Sequence, residues 1–250
     1  MTLALTIPKS EIDKVIDDHT RKVIRLLQAA KIPVRIVGGA VRDLLQNKVP
    51  RDVDLVADVD PGALIYLFQA HDIGVDVGGI QHGTVKAVFG VGSSEQKVDV
   101  TSLGYRIHRH GEQIHVDHAV NWRTDSGFRD LTINAMSMDL NGHVYDYQNG
   151  LRDLRNQIVR LGPQAEDSLI LDPTGIMRYF RAVSQFPRPQ IVQSDLAWIK
   201  LHVHELAPYV DDKKVQMNYV TIMKSPHRMH AIRLMCACGV NQYLPYVVCD

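Results

Sequence analysis

The chain has 250 residues, 45% of them hydrophobic and 22% charged, with 28 basic side chains against 28 acidic ones. That length supports a real core in one large or two small domains, and the neutral balance excludes capture of nucleic acid by net charge alone, though not by a local basic face. No apolar run is long enough to span a membrane, no signal peptide is visible, and Cys236, Cys238 and Cys249 form neither a CxxC pair nor a disulfide ladder, so a reducing cytoplasm is the expected setting.

Ile12, Val15, Ile16, Val23, Leu26 and Leu27 recur at helical spacing and predict one helix from Ser10 to Ala30, with Ser10 and Asp13 as a capping box and Lys31-Ile32-Pro33 as its stop. Val34 to Val37 reads as a buried strand, followed by Gly38-Gly39 and a short helix from Ala40 to Leu45. Asp52 to Ala57 is a second strand, and Pro61 opens a helix that runs to His71. Val85 to Phe89 and Lys97 to Thr101 are two strands joined by the Gly/Ser-rich stretch from Gly90 to Ser94. Val144-Tyr145-Asp146 follows an Asn141-Gly142 turn signal as another short strand. After about Leu161 alternation fades and helical stripes take over: Ile176, Met177, Phe180 and Val183; then Leu196, Ile199, Val203 and Leu206; then Ile232, Leu234 and Met235, stopped by Cys238-Gly239. The expected fold class is α+β, a mixed-sheet catalytic half over 1–161 followed by an all-helical half over 162–250.

Two acidic residues carry the chemistry. Asp52 and Asp54 lie two apart in Arg51-Asp52-Val53-Asp54-Leu55, so on an extended strand they point to one face. A pair of Mg²⁺ ions in nucleotidyl transfer needs such a carboxylate pair. By itself Asp-x-Asp is also a common solvated edge, but the apolar flank of Val53, Leu55 and Val56 favours a strand. Gly38-Gly39 before a helix can bring backbone close to a triphosphate, and Arg42 can clamp a phosphate oxygen; taken alone, the same residues make an ordinary tight turn. Asp99, between Val98 and Val100, needs a partner on an inner strand. A general base or metal ligand on one side, and a salt bridge with a neighbour such as Lys97 or Arg106 on the other, weigh evenly for it.

Arg129, Asp130 and Asn134 fall within six positions and can recognise ribose hydroxyls and phosphate together, or simply start a helix with Asp130 or Thr132 as its cap. Asp172-Pro173 precedes Arg178 and Arg181, three apart on one helix face, able to grip a base edge or a phosphate or else to face solvent. Among 12 histidines, His108, His110, His115 and His118 crowd one segment, but no metal-site spacing appears and a polar loop is expected. Cys236-Ala-Cys238 is better read as small core residues on a helix than as a metal site.

The ordered series VGGAVRD, RDVDLV, VDVTS, RDLTINAM, DYQNGLRDL and DPTGIMRYFRAV resembles the class II tRNA nucleotidyltransferases (CCA-adding enzymes) and the bacterial poly(A) polymerases, over roughly Val34 to Pro245. The resemblance implies a nucleotidyltransferase palm with a mixed sheet followed by a helical neck. It implies that Asp52 and Asp54 bind catalytic Mg²⁺ as a two-metal site, while Asp99 stays a third catalytic candidate on the reading of its own surroundings. It further implies that Gly39 and Arg42 hold the triphosphate, beside Gly38 of the same bend as a nucleotide-binding candidate, that Arg129, Asp130 and Asn134 recognise the ribose, and that Asp172, Arg178 and Arg181 line the nucleotide pocket. ATP and CTP would be the substrates, an RNA 3′-end, tRNA above all, the partner, with no membrane involved.

Four departures stand out. Leu171-Asp172-Pro173-Thr174-Gly175 replaces the family's E-D-x-x-R, whose arginine helps choose the base. Phe128-Arg129-Asp130 replaces Arg-Arg-Asp. The arginine expected soon after Asp99 is shifted to Arg106. The chain stops at Asp250, before the family's body and tail, which leaves open whether a partner or a homo-oligomer supplies that surface. The expected function is metal-dependent addition of CCA, or part of it, to tRNA. The alternatives are an A-adding, poly(A) polymerase-like enzyme of relaxed specificity and a degenerate nucleotide- or RNA-binding module.

Overall fold

The computed structural model describes residues 3–110, 113–118 and 121–249, with backbone alone along 105–110 and 113–118 and at 171. The chain divides into two compact units, Met1–Ser126 with Met136–Tyr147, and Gly127–Ala135 with Gln148–Asp250. The division is therefore interleaved rather than a single cut after residue 161: β-strands at 137–145 return to the first unit, because their partner is a strand near the start of the chain.

The first unit carries β1 (Leu3–Thr6), α1 (Lys9–Val15), α2 (Asp18–Ala29), β2 (Val34–Val37), α3 (Gly39–Leu45), β3 (Asp54–Ala57), α4 (Pro61–Gln69), β4 (Gly74–Gly79), β5 (Thr84–Phe89), β6 (Gln96–Ser102), β7 (Tyr105–His110), β8 (Gln113–His118), α5 (Trp122–Gly127), β9 (Ser137–Met138) and β10 (His143–Tyr145). Eight of these strands form one mixed sheet in the order β1-β10-β9-β2-β3-β6-β5-β4. Only β3 and β6 run parallel, with Leu55 opposite Val100; every other pairing in the sheet is antiparallel. The central strands are buried along the runs that the sequence marks as apolar: Ile36, Leu55, Val56, Ala57, Val85, Ala87 and Val100 are inaccessible. Helix α2 packs on β2 and β6 through a face that includes Val23 and Leu27, and α4 packs on β4 and β5 with Leu64 and Phe68 buried.

Local chemistry explains where the expectations moved. The helix expected from Ser10 to Ala30 is two helices, broken at Ile16 and Asp17. Asp17 is extended and its carboxylate accepts from the Thr20 N–H at 2.7 Å, so it caps α2, while Ser10 lies inside α1 and caps nothing. The strand expected from Asp52 begins at Asp54, leaving Asp52 just outside the ladder. The histidine-rich segment is not a loop: β7 and β8 pair as an antiparallel hairpin with His108 opposite His115 and His118 opposite Tyr105. Side chains there lie outside the described residues.

Arg35 is an unusual occupant of a buried strand, only 8% exposed. Its guanidinium lies 4.2 Å from the Trp122 ring centroid and 3.8 Å from that of Tyr145, and donates to Ser137 Oγ at 3.2 Å and Tyr147 OH at 3.4 Å. Two aromatic faces and two hydroxyls thus offset the desolvation of the charge. They tie β2, which leads directly into Gly38-Gly39, to α5 and β10.

The second unit carries α6 (Gly150–Arg155), β11 (Ile158–Val159), α7 (Ala165–Leu171), α8 (Gly175–Val183), β12 (Gln190–Ile191), α9 (Gln193–His202), α10 (Lys213–Lys224) and α11 (Arg228–Ala237), with 3-10 turns at Thr132–Asn134 and Val203–Tyr209. Helix α8 is the hub. Ile176, Met177, Tyr179, Phe180 and Val183 are buried on it, and α10 and α11 pack against it. The unit is helical except for the short parallel ladder of β11 with β12. Asp212 caps α10 by accepting from the Lys214 and Val215 N–H groups, and Gly239, at φ 81°, follows the end of α11 in the left-handed conformation that stops a helix. Cys236 and Cys249 are joined as a disulfide, contrary to the all-thiol expectation, because the strand-free tail after Gly239 brings residue 249 back to α11. Cys238 remains a buried thiol whose pKa burial pushes up to about 11, so the Cys236-Ala-Cys238 metal reading fails. Among the described residues no helix is long and apolar enough to cross a membrane.

Candidate active site

In the first unit, a cavity of about 370 Å³ opens beside the sheet, lined by Val15, Asp17, Thr20, Pro50, Arg51, Asp52, Val53, Asp54, Lys97 and Asp99. Three of the carboxylates singled out from sequence, Asp52, Asp54 and Asp99, therefore meet in one place. Sheet register accounts for two of them. Leu55 pairs with Val100 on parallel neighbouring strands, so the preceding residues, Asp54 and Asp99, occupy equivalent positions on one face. Asp52 comes from the loop just ahead of β3, which ends the ladder early and leaves its side chain 80% exposed. Its contact with Arg51 is long, 3.9 Å, between two exposed groups, and holds neither firmly.

Asp99 takes up the salt bridge, one of its two readings, with a neighbour other than the two named from the sequence. It forms an ion pair with Lys86 on the adjacent strand β5, whose Cα it faces in register. Lys97 is instead taken by Asp76 at 2.8 Å and Glu95 at 3.1 Å. Lys86, Asp17 and Thr20 escaped the sequence reading. Lys86 gives no sign of itself in a five-residue window; Asp17-Asp18-His19-Thr20 does carry an N-cap signature, hidden by the apparent continuity of the helix.

Gly38, Gly39 and Arg42 are not among the residues lining the cavity. Gly38 has φ 73°, a conformation that favours glycine, and its N–H is bonded to the Met136 carbonyl at 3.2 Å. Arg42 is only 6% exposed and donates through Nε and Nη2 to Asp43 Oδ1 at 2.9 and 2.8 Å. A Cβ on Gly39 would stand 3.5 Å from Arg42 Nη2, so the guanidinium lies over this glycine.

The second unit gathers the other predicted group. Asp130 is the centre: Oδ1 accepts from the Leu131 N–H at 2.9 Å and from Asn134 Nδ2 at 3.2 Å, and Oδ2 accepts from Arg178 Nε at 2.8 Å. Burial alone would raise its pKa, but the Arg178 charge and these hydrogen bonds outweigh it and hold the carboxyl below the ordinary range. Asp130, Asn134 and Arg178 are thus one network, built from a 3-10 turn and α8. Arg181 is half-buried one turn further along α8. Asp172 ends α7 and accepts from the Thr174 N–H at 3.2 Å and from its hydroxyl, so it organises the turn into α8. Gly175 starts that helix and is buried; a Cβ there would fall 2.4 Å from Leu169 Cδ2 and 3.0 Å from Arg178 Nη2.

Which residues fit a metal is decided by donor chemistry. Among the described residues no three His, Cys, Asp or Glu side chains converge as a preformed metal cage. The cavity offers carboxylate oxygens and no imidazole or thiolate, a set suited to a hard divalent cation. Mg²⁺ is ordinarily held by one or two carboxylates, with water and substrate phosphates completing its shell. Asp52 and Asp54 match that demand.

Comparison with known proteins agrees with this construction. Residues 34–160 match the family of the poly A polymerase head domain. The chain is 29% identical over 244 residues to the mitochondrial CCA tRNA nucleotidyltransferase 1 of Danio rerio, covering 96% of this chain and 56% of that one. It is 31% identical over 237 residues to the CCA-adding enzyme of Lactobacillus helveticus, covering 94% and 57%. The crystal structure of the Bacillus stearothermophilus CCA-adding enzyme in complex with CTP superposes with a TM-score of 0.71 at 26% identity, covering 91% of this chain and 53% of that one. The chain thus spans about half the length of the relatives it matches. With a mixed sheet presenting paired aspartates, and with more than half of its residues matched, the chain belongs to the family of the poly A polymerase head domain.

Proposed function

We propose that this chain transfers a nucleoside monophosphate from CTP or ATP to an RNA 3′-hydroxyl, with tRNA as acceptor and CCA, or part of it, as product. The observation that carries the reading is the convergence of Asp52 and Asp54 in one open cavity. In this reading the pair holds Mg²⁺ as a two-metal site, with Asp99 as a third catalytic carboxylate. A metal held there by Asp52 and Asp54 would lower the pKa of the attacking hydroxyl and neutralise the leaving pyrophosphate. Gly38, Gly39 and Arg42 hold the triphosphate, Arg42 sharing its guanidinium between phosphate and Asp43. Arg129, Asp130 and Asn134 recognise the ribose, and Asp172, Arg178 and Arg181 contact the base. The ion pair with Asp130 fixes Arg178, so that its remaining N–H groups are oriented before a nucleotide arrives. The relatives named as CCA-adding enzymes, and the solved relative in complex with CTP, support the substrate class. We place the activity in the cytoplasm, a reading against which the Cys236–Cys249 disulfide counts; the same bond found intact in freshly isolated protein would overturn it.

The test is incubation with Mg²⁺, each labelled NTP, and tRNA lacking its 3′ end. Incorporation that disappears in Asp52→Ala supports the reading; no incorporation, with calorimetric binding of ATP intact, would leave a module that binds without catalysis.

One observation in the second unit favours a second outcome. Leu169 fills the space beside Gly175, so no side chain at this position can reach a base unless Leu169 moves. Base choice then rests on fewer hydrogen bonds, and discrimination falls before turnover does. Sequencing the extended ends separates ordered C, C, A from A-only or mixed tails.

A further inference from the structure

We propose that Lys86 is a positioning residue that acts as the cavity's built-in counter-cation, holding Asp99 and setting how tightly the carboxylate group takes a divalent metal. The inference rests on the metal reading above and goes beyond it. The cavity wall carries four aspartates, Asp17, Asp52, Asp54 and Asp99, against Arg51 and Lys97. Asp17 is committed to the N-terminus of α2. Lys97, on the same wall, is committed to Asp76 and Glu95. Arg51 is 79% exposed and 3.9 Å from Asp52. Lys86 is the cation placed by the sheet itself. Asp76, Lys86 and Asp99 stand in one cross-strand row, on β4, β5 and β6, and of the two flanking acids it is Asp99 that Lys86 grips.

The consequences follow from geometry. Lys86 is 29% exposed and Asp99 34%, so the pair is partly screened from water and is held by strand register rather than by a free loop. Lys86 engages Oδ2; among the described residues no hydrogen bond uses Oδ1. One oxygen of Asp99 is thereby fixed while the other stays available to whatever the cavity holds. Without the Lys86 charge the cavity would attract a cation more strongly and Asp99 would be free to move onto it, in place of the geometry in which Asp52 and Asp54 alone hold the metal.

The test is direct Mn²⁺ binding to the nucleotide-free protein, followed by electron paramagnetic resonance at fixed ionic strength, with turnover measured in parallel. Lys86→Met should bind Mn²⁺ about 3- to 10-fold more tightly while kcat falls and the KM for NTP changes little; Lys86→Arg should restore both towards wild type. Lys86→Gln carries the same expectation as Lys86→Met and guards against misfolding of the apolar variant. Unchanged or weaker Mn²⁺ affinity in both neutral variants overturns the role of Lys86. Asp52→Ala that binds Mn²⁺ as wild type does would overturn the underlying metal reading instead, so the two failures are separable.

Discussion

The two groups of acidic residues differ in how their charge is satisfied. Asp130, in the second unit, has 14% side-chain exposure and is bonded to Arg178, Asn134 and a backbone N–H. Asp52, in the first unit, is 80% exposed and has only a long contact with an equally exposed Arg51. A carboxylate already saturated by fixed donors organises structure and can orient its partner, whereas a solvated carboxylate beside two others in a cavity is suited to a cation that arrives from solution. Removing each kind of acid should therefore have opposite consequences for stability and for chemistry.

The largest expected effect is chemical. Asp52→Ala or Asp54→Ala should lower nucleotide incorporation by about 10³-fold or more, while a thermal melt of Asp52→Ala shifts by less than about 1 kcal/mol, since that side chain is exposed. Preserved incorporation in either variant would break the contrast. Next, Arg178→Ala should destabilise the fold by about 2–3 kcal/mol in urea titration, because it leaves Asp130 with its largest attractive partner gone. Gly175→Ala should cost no more than about 1 kcal/mol, because the close approach is to the far end of the Leu169 side chain, and that cost should vanish in a Leu169→Ala background. A Gly175→Ala protein as stable as wild type would mean that the start of α8 yields easily.

The smallest effect sharpens the comparison through pH. The folded-state pKa of Asp130 is held below its ordinary value of 3.8, so its ionised form stabilises the fold above that value and the contribution is lost as pH falls through the lowered folded pKa. The stability difference between wild type and Asp130→Asn should be constant above about pH 5 and shrink below pH 4. A difference independent of pH down to pH 2 would show that the carboxylate charge is not what the network uses.

Much of this was legible in the chain because it is local. Val34 to Val37, the Gly38-Gly39 turn and the stripe of Ile176, Met177, Phe180 and Val183 each need only a few neighbouring residues to be recognised, and each appears where expected. The split between α1 and α2 was missed because a stripe of apolar residues continues across Ile16 and Asp17, and periodicity cannot show that a capping carboxylate is cheaper than another helical turn. The β7–β8 hairpin was missed because its alternation is written in histidines and charged residues rather than in apolar ones.

By itself, then, the order of residues determined the glycine bend before α3 and the helical stripes of the second unit, since spacing along a helix dictates which side chains share a face. Tertiary structure alone decided that Asp99 belongs to Lys86, that Asp130 belongs to Arg178 and that Cys236 meets Cys249. These pairs are separated by 13, 48 and 13 positions. Their members come together only when strand register, helix packing and the final turn of the chain are set, and no local pattern encodes those choices.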